Sequence, residues 1–410
     1  MNSEVTKYRN VQMIGVEEAD AILRERVRDF GVEKVSFENA LGRVLAESIK
    51  ADRDFPPFDR VSMDGIAIRF SGYENGIRTF AIEKCVGAGK DSGSLNANTG
   101  CIEIMTGAPL PKGADTVIRY EDLLIENDSA TIINEVIKTG QNIHQKATDA
   151  SAGDILAKEG TLIDASVFSI CASVGAMEVV VKKLPRIAVI STGDELVEIN
   201  NDPLPWQIRR SNVYLISGKL QECGIRAYTF HVRDNDDETK RIISDCLVQF
   251  DVVLLSGGVS MGKFDSIPAI LQSNGVTCLF HKLKQRPGKP FWFGENKTTT
   301  VFAFPGNPVS TSLCLHRYFL PWLKQCLQLE TTNITAILQD DVEFLPDLQY
   351  FLQVKLEYSD GMISAIPLAG KGSGDQVNLL QTDAFMELPA PGKVFSRGGV
   401  FRVWPFKNIF

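Results

Sequence analysis

Histidine is scarce in this sequence, and its cysteines never occur in the close pairs that hold structural zinc. The 410 residues include 4 histidines and 8 cysteines, and no two cysteines form a C-x-x-C pair. A zinc site or a compact disulfide framework would need such spacing. We therefore expect free thiols of a reducing compartment rather than metal ligands or disulfides.

An excess of positive charge and a long hydrophobic run are also absent. Lysine and arginine total 43 against 51 aspartate and glutamate, so the net charge is -8. That balance argues against a nucleic-acid partner and against a membrane surface. The sequence shows no signal-peptide pattern and no apolar run of membrane length, so we expect a cytoplasmic protein.

The longest regular pattern alternates strands with helices over residues 185–329. Such alternation predicts a mostly parallel sheet that helices cover on both faces. The apolar run from Asp251 to Ser256 is typical of a strand buried on both faces. The predicted strands are 186–191, 225–232, 251–256, 276–283 and 299–304, and the predicted helices are 212–221, 238–249, 266–272 and 310–328.

The other regions differ in character, and 410 residues exceed what one hydrophobic core supports. Short β-type runs separated by turn residues predict a small all-β insert over 51–149 and a C-terminal β-domain over 330–410. Helical periodicity over 13–50 and a strand, helix, strand pattern over 153–184 predict a mixed linking domain, 1–50 with 150–184, interrupted by the insert. The predicted fold is therefore multidomain α/β plus β, with the α/β domain at 185–329.

Chemically active residues follow nearly every predicted strand of the α/β domain, where parallel sheets bind their ligands. Gly-rich loops and a helix start favour an anion, and lysines and arginines suit phosphate. The carboxylates there would repel an anion unless Mg²⁺ bridged the two. The residues thus predict a metal-assisted site for a phosphorylated ligand, although any one segment could be a plain turn. The segments are Ser191–Glu195, Arg233–Asp236, Ser256–Ser260 with Asp265, Lys282–Lys289 and Pro305–Ser310.

Four further polar stretches lie outside that domain. Phe55–Gly65 crowds two acids, an arginine and a serine between apolar anchors, which indicates a held polar cluster rather than a simple turn. Met105–Pro111 places a hydroxyl at a tight turn. Gly140–Asp149 is unusually polar for a linker, and a solvated loop is the alternative. Gly370–Asp375 is a polar Gly-rich loop for which a flexible surface turn is the alternative.

Six of these motifs, in this order, resemble the MoeA-type molybdopterin molybdenumtransferases, the family that includes the C-terminal enzymatic domain of gephyrin. Any one would be weak, but six in register are specific, and the resemblance extends over essentially the full length. The motifs are Phe55–Gly65, Met105–Pro109, Ser191–Leu196, Ser256–Ser260, Arg286–Pro290 and Pro305–Ser310.

The resemblance implies an enzyme that inserts molybdenum from molybdate into adenylylated molybdopterin, uses Mg²⁺ and releases AMP. It also implies a homodimer whose cleft is shared between the α/β domain of one subunit and the β insert of the other. Transient contact with the molybdopterin adenylyltransferase and with molybdoenzyme targets would follow. The alternatives are a molybdopterin adenylyltransferase, against which the β insert and β tail argue, and a gephyrin-like scaffold.

Site residues are carried over by matching position. The implied catalytic residues are Asp64, Thr106, Asp149, Glu195 and Asp265. The implied metal ligands are Asp265, Glu195 and Asp234. The residues implied to bind the adenylylated molybdopterin or the oxyanion are Gly257, Gly258, Ser260, Asp234, Lys282, Arg286, Pro305, Gly306, Asn307, Pro308, Ser310 and Ser373.

Two positions depart from the family pattern. In the segment Gln207–Asn212 the family often carries an aspartate where this chain has Arg210. In the C-terminal region an arginine of some members aligns with Gln353, which weakens the expectation that the C-terminal domain helps to bind an anion. Neither change touches the predicted carboxylate set.

Overall fold

The computed structural model describes residues 13–134, 136–233, 236–259 and 266–407. The described chain divides into two compact units. The first holds the described residues up to Lys34, Gly42–Val44 and Val180 onward; the second holds Val35–Leu41 and Leu45–Val179. The predicted boundaries of four domains remain predictions.

A six-stranded sheet forms the centre of the first unit. Four neighbouring strands run parallel, and Trp292–Glu295 runs antiparallel to the strands on either side of it. The predicted mostly parallel sheet is therefore confirmed. In spatial order the strands are Tyr228–Val232, Ile187–Thr192, Val252–Ser256, Thr300–Phe304, Trp292–Glu295 and Thr277–His281.

Helices cover both faces of this sheet. Alternate side chains of a strand point to opposite faces, so the central strand contributes to two hydrophobic clusters. Val252 and Leu254 pack in one hydrophobic cluster, whereas Val253 and Leu255 pack in another. All five residues of Val252–Ser256 are buried, which confirms the prediction for this strand. Helices Val16–Glu25, Asn212–Glu222 and Pro308–Cys314 contribute to the first cluster. Helices Asp236–Gln249 and Ile267–Ser273 contribute to the second.

The helical stretch from Pro308 is interrupted where a single helix over 310–328 is predicted. It consists of Pro308–Cys314, a wide π-helical turn at Leu315–Phe319, and Leu320–Cys326. Pro321 has no N–H to donate, and a proline ring crowds the carbonyl four residues earlier. The wide turn directly before Pro321 accommodates both effects.

This wide turn carries His316, a buried imidazole with one satisfied nitrogen. Nδ1 donates to the Ser312 carbonyl oxygen at 2.8 Å. Nε2 is buried without a hydrogen-bond partner among the described residues. Burial lowers the pKa of His316 to about 4. The folded chain therefore holds this side chain neutral.

His316 should make the fold sensitive to mild acid. The unfolded chain binds a proton near pH 6.5 and the folded chain only near 4, so the stabilisation is complete above pH 6.5 and is lost as the pH falls. Between pH 7.5 and 5, we expect the free energy of unfolding to fall by about 2 kcal/mol more in the wild type than in His316→Phe. Urea denaturation at both pH values measures this. Equal pH dependence in the two proteins would contradict the assignment.

The C-terminal region of the first unit is a small closed barrel. Gln349–Ser359 pairs with Met362–Pro367 on one side and with Ala384–Leu388 on the other. Ile334–Leu338 and Val400–Pro405 complete the ring. A core of apolar side chains such as Leu352, Val354 and Met386 fills it. The predicted C-terminal β-domain is confirmed, with a further short pair at Val342–Phe344 and Lys393–Phe395.

The second unit is built on another six-stranded sheet. Two short antiparallel pairs flank it, namely Ile49–Lys50 with Ile155–Ala157 and Arg60–Val61 with Ile143–His144. Its helices are Phe70–Glu74 and Ala165–Ser173. The sheet order is Thr116–Arg119, Gly65–Ile68, Gly100–Ile104, Thr79–Val86, Ser129–Ile132 and Leu123–Glu126.

The helical prediction for 13–50 is wrong beyond the first helix. Val16–Glu25 is helical, but Val32–Ser36 is a strand that pairs with Glu178–Lys182. Gly31, with φ 84°, separates the two elements. The overall class of multidomain α/β plus β is confirmed. Within the described ranges, no helix combines the length and the apolar character that crossing a membrane requires.

Candidate functional site

Two glycines form the turn after the central strand Val252–Ser256. Gly257 has φ 98° and Gly258 has φ 67°, a region that favours glycine. A Cβ on Gly257 would lie 2.9 Å from Thr192 Oγ1, and one on Gly258 would lie 2.5 Å from Ile267 Cγ1. The turn therefore packs closely on the neighbouring strand end and offers backbone groups rather than side chains.

Asn212, the first residue of its helix, connects this turn to the next strand end. Its Nδ2 donates to Ser256 Oγ at 3.0 Å and to the Gly306 carbonyl oxygen at 2.7 Å. Gly306 can only accept here, which fixes the orientation of the amide. Oδ1 is left as a buried acceptor with no hydrogen-bond partner in the described part of the chain. The two turns thus form one continuous edge of the sheet.

The turn Pro305–Pro308 begins the next helix and meets the C-terminal barrel. Asn307 Nδ2 donates to Ser373 Oγ at 2.8 Å, and the Val309 N–H donates to the Ser373 carbonyl oxygen at 3.1 Å. The helix start here is predicted to favour an anion, but the Val309 N–H already has a backbone partner and is not free for one. These two bonds place Ser373 at this edge, against Asn307 and Val309. Ser310 is buried.

The two predicted cationic residues differ in exposure. Lys282 follows Thr277–His281, is half-buried and has φ 80°. Arg286 is exposed in the strand Gln285–Arg286, which pairs in parallel with Gln349–Tyr350 of the barrel. Its guanidinium carbon lies 5.9 Å from the centroid of the Phe344 ring. The barrel thus holds the backbone of Arg286 while its charge stays accessible.

Glu195 lies in the exposed loop that follows Ile187–Thr192. Its carbonyl oxygen accepts from the Ile208 N–H at 2.8 Å, so a short parallel pair, Leu196–Val197 with Ile208–Arg209, braces the loop. Gly193 before it has φ 132°. The Glu195 side chain is available at the same sheet edge as the glycine turns.

Three predicted site residues, Asp234, Ser260 and Asp265, lie outside the described residues. Across the described ranges, no three His, Cys, Asp or Glu side chains lie close enough together to hold a metal ion. The metal set of Glu195, Asp234 and Asp265 therefore stays a prediction, with only its first member described. The described residues alone do not form a closed metal cage.

In the second unit, the short strand Arg60–Val61 holds the other predicted residues near one another. On one side it pairs with Ile143–His144. On the other, the Val61 N–H donates to the Ala108 carbonyl oxygen at 3.0 Å, and the Gly107 N–H donates to the Val61 carbonyl oxygen at 2.8 Å. The motifs Phe55–Gly65, Met105–Pro109 and Gly140–Asp149 are therefore spatial neighbours within this unit.

Asp64 and Thr106 are linked directly. The Thr106 N–H donates to Asp64 Oδ1 at 2.6 Å. The Thr106 backbone N–H and then its hydroxyl hold the pKa of the Asp64 carboxyl below its usual value. Both residues are exposed. Asp64 is therefore an ionised, oriented carboxylate at neutral pH, as a metal or cation contact would require.

Asp149 also has a defined partner in this unit. Its Oδ1 lies 2.8 Å from Nε2 of His144, while 55% of the Asp149 side chain stays exposed. The Asp149 N–H donates to the Phe55 carbonyl oxygen at 2.9 Å. Backbone and side chain are both fixed, and the carboxylate still faces solvent.

Sequence patterns alone do not reveal Asn212 or His144 as contributors to the site. Asn212 acts through strand ends that are distant in sequence, and His144 through a cross-strand neighbour. The available signal for each was its position, Asn212 at a predicted helix start after a polar loop and His144 inside the polar stretch ending at Asp149. Neither signal distinguishes a site residue from a surface one.

Comparison with known proteins places the whole chain in one family. Models of the MoeA N-terminal region (domains I and II), a probable molybdopterin binding domain and the MoeA C-terminal region (domain IV) match residues 14–175, 188–325 and 335–406. A molybdopterin molybdenumtransferase of Synechocystis is 40% identical over 394 residues, or 95% of this chain and 99% of that protein. This chain belongs to the molybdopterin molybdenumtransferase family. The predicted resemblance is confirmed.

Further relatives of the family agree in length and fold. A molybdopterin molybdenumtransferase of Staphylococcus epidermidis is 30% identical over 400 residues, covering 95% of both chains. A crystal structure of a MoeA protein from Pyrococcus horikoshii matches with a TM-score of 0.81 and 29% identity, covering 97% of this chain and all of that one. A second structure of a MoeA protein from that organism also gives 0.81. The fold is that of MoeA proteins.

Arg210, where the family often has an aspartate, is a buried residue with an acidic partner. Its guanidinium contacts Glu198 through two pairs of atoms, Nη2 with Oε1 at 2.7 Å and Nε with Oε2 at 3.0 Å. Nη1 also lies 3.4 Å from Ser191 Oγ. The arginine thus connects the loop after Ile187–Thr192 to the end of that strand, through Glu198 and Ser191. At this position the chain therefore has a cation held in a structural ion pair with Glu198.

Gln353, the second departure from the family, lies under the Gly370–Asp375 loop. A Cβ on Gly370 would lie 2.8 Å from Gln353 Nε2 and 3.1 Å from Asn378 Nδ2. The loop therefore packs against two neutral amides. Gln353 supplies no charge here, so the prediction of a weakened C-terminal contribution to anion binding remains open.

Proposed function

We propose that this chain inserts molybdenum from molybdate into adenylylated molybdopterin and releases AMP. Membership of the family supports the reaction class. The observation that carries the proposal is the edge of the central sheet at which two glycine-containing turns meet. Gly257 and Gly258 lie in one turn, and Gly306 lies in the other. Tight glycine turns suit a phosphate-bearing ligand, because backbone N–H groups can reach it without a Cβ between them.

The proposed ligand roles follow the charges of this edge. Gly257 and Gly258 would contact the pterin phosphate, together with Ser260. Lys282 and Arg286 would hold the oxyanion, because guanidinium and ammonium groups donate charge-assisted hydrogen bonds to oxyanions. Ser310 and Ser373 would add polar contacts at the neighbouring helix start. The oxide that molybdate loses can leave as water, using the two dithiolene protons: MoO₄²⁻ + R(SH)₂ gives MoO₃(S₂R)²⁻ + H₂O. Release of AMP breaks the P–O–P bond of the adenylylated pterin and consumes one water, which leaves the pterin phosphate and AMP.

Magnesium is part of the proposal as a partner of the substrate's phosphates. Mg²⁺ in proteins commonly keeps several waters and binds through one or two carboxylates plus substrate phosphates. A closed protein cage is therefore not needed. Glu195, exposed at the edge, would supply one carboxylate, with Asp234 and Asp265 as the further candidates. When bound, the ion would neutralise phosphate charge during release of AMP.

We further propose a cytoplasmic homodimer in which Asp64, Thr106 and Asp149 of one subunit serve the sheet edge of the other. These three carry no phosphate-binding features of their own, yet they present oriented carboxylates and a hydroxyl. Two carboxylates and a nearby sheet edge of cations would complement each other around a metal-bearing substrate. Transient contacts with the adenylyltransferase and with molybdoenzymes would deliver substrate and receive product.

A direct assay separates this proposal from adenylylation. The purified protein is incubated with adenylylated molybdopterin, molybdate and Mg²⁺, and AMP release and pterin-bound molybdenum are quantified together. The proposal predicts equal amounts of both products and no AMP without molybdate. In a parallel incubation with molybdopterin, ATP and Mg²⁺, transfer of AMP from ATP to molybdopterin without molybdenum incorporation would instead support an adenylyltransferase. EDTA should abolish both products, and added Mg²⁺ should restore them.

A further inference from the structure

Three side chains of the second unit form a polar chain that ends at Asp149. Arg60 and His144 face each other as cross-strand neighbours in the pair Arg60–Val61 with Ile143–His144. Arg60 Nη2 lies 3.4 Å from His144 Nδ1, and His144 Nε2 lies 2.8 Å from Asp149 Oδ1. The imidazole therefore bridges a guanidinium and a carboxylate.

The two contacts select one form of the imidazole. A guanidinium can only donate, so Nδ1 must accept from Arg60. Nε2 must then carry the proton and donate it to the Asp149 carboxylate. A neutral imidazole satisfies both neighbours at once, with its proton on Nε2. Asp149 thereby receives a directed hydrogen bond.

The surrounding loop leaves His144 as the side chain that sets the orientation of Asp149. The Asp149 N–H is held by the Phe55 carbonyl oxygen at 2.9 Å. The neighbouring cation Lys146 is engaged elsewhere, because its Nζ lies 3.1 Å from Asp54 Oδ2. The backbone of Asp149 is thus fixed by the Phe55 carbonyl oxygen, and its carboxylate by the imidazole.

We propose that His144 is a positioning residue for Asp149, with Arg60 fixing the tautomer. The role in catalysis rests on the proposed function, since Asp149 would act on the metal-bearing substrate. Groups that orient a reacting ligand from behind commonly contribute strongly, because small shifts of a carboxylate disturb contacts of defined length. His144 donates a hydrogen bond and transfers no proton in this account.

Replacement of His144 separates positioning from proton transfer. We expect His144→Ala to lower kcat/KM for molybdenum insertion by about 10- to 100-fold. His144→Gln should recover most of that loss, because the glutamine Nε2–H can donate where the imidazole Nε2–H did. Gln145→Ala, an exposed neighbour in the same loop, is the matched control and should behave as wild type. A His144→Gln variant as inactive as His144→Ala overturns the positioning role.

A double variant tests whether His144 acts through Asp149. If it does, adding His144→Ala to Asp149→Asn should cause no further loss of kcat/KM. A multiplicative loss would show that His144 acts independently and would overturn the proposal. A wild-type protein that lacks molybdenum insertion altogether would overturn the proposed function instead. NMR of the His144 imidazole would still test its contact with Asp149.

The tautomer itself can be measured without any assay. The chain has only 4 histidines, so ¹⁵N NMR of the imidazoles is tractable, and His144→Gln identifies the resonance of interest. We expect a neutral ring with the proton on Nε2, whose shift moves in Asp149→Asn. A proton on Nδ1, or a resonance indifferent to Asp149→Asn, contradicts the inferred contacts.

Discussion

Replacement of Arg317 by alanine is expected to lower the free energy of unfolding by about 3–5 kcal/mol. The Arg317 side chain is only 4% exposed. It meets Asp20 through two hydrogen bonds of 2.7 Å and lies 3.4 Å from Glu387. Removing the guanidinium would leave two largely buried carboxylates without their cation, which is the costly way to break a buried ion pair. Urea denaturation at pH 7 measures the change.

Arg402 offers a matched control for Arg317. Its guanidinium carbon stacks 3.8 Å from the centroid of the Trp404 ring, the same ring over which Arg317 lies at 4.3 Å. Loss of a partly exposed cation–π contact should cost about 0.5–1 kcal/mol. If Arg317→Ala costs no more than Arg402→Ala, the ion-pair network contributes little and the account of this contact is wrong.

Substitution of Gly258 by alanine is expected to reduce molybdenum insertion by roughly 100-fold, because a displacement of about 1 Å at a site is enough for such a loss. The added Cβ would lie 2.5 Å from Ile267 Cγ1 and 3.0 Å from Thr192 Oγ1. The turn must therefore move away from the position at which it would meet the phosphate. Steady-state kinetics with adenylylated molybdopterin and molybdate tests this, and a rise in KM is expected with the loss of kcat.

Gly275 separates backbone strain from site geometry. It has φ 78°, close to that of Gly258, but a Cβ there meets nothing within 4 Å. Thr277–His281 runs in the same direction as the parallel strands. Gly275, which precedes it, therefore lies at the amino ends of the strands, whereas the candidate site lies at their carboxyl ends. We expect Gly275→Ala to cost about 1 kcal/mol of stability and to leave activity unchanged. Equal loss of activity in both variants would indicate strain rather than geometry at Gly258.

The elements with strong periodic signals could be predicted from the sequence. Thr79–Val86, Met362–Pro367 and Ala384–Leu388 are strands within the regions predicted to be β-rich, because short alternating runs bounded by turn residues favour strands. The strand Trp292–Glu295 is missed. It lies in a short apolar run directly after Pro290, and its pairing with Thr277–His281 and Thr300–Phe304 defines it.

The failures share a tertiary cause. Val32–Ser36 is a strand because Glu178–Lys182, about 145 residues later, pairs with it, and no local pattern shows a partner at that distance. Pro321 is the exception, since a proline inside a long helical pattern is a local signal for a break. There the helical periodicity outweighs the proline in the prediction, although the wide turn before it is the structural consequence.

The candidate site divides in a similar way. Asp64 and Thr106 belong to recognisable motifs, and the structure joins them by a hydrogen bond of 2.6 Å. His144 and Arg210 could not be predicted as supporting residues, because their contacts with Arg60 and with Glu198 come from another strand or loop. Arg210 also departs from the commoner family pattern. The carboxylate that balances its charge, Glu198, lies 12 positions earlier in the chain. Motifs identify the groups that meet a ligand better than the groups that hold them.

The most direct test of the proposed shared site uses two inactive variants in one dimer. Asp64→Asn impairs the β insert, and Arg286→Ala impairs the sheet edge. In a purified heterodimer carrying one variant on each subunit, one cleft would combine the intact insert with the intact edge. With a shared site, we expect about half the wild-type rate of molybdenum insertion for this heterodimer, since one of its two symmetric clefts is complete. A heterodimer as inactive as either homodimer, with all proteins folded, would contradict a site assembled from two subunits.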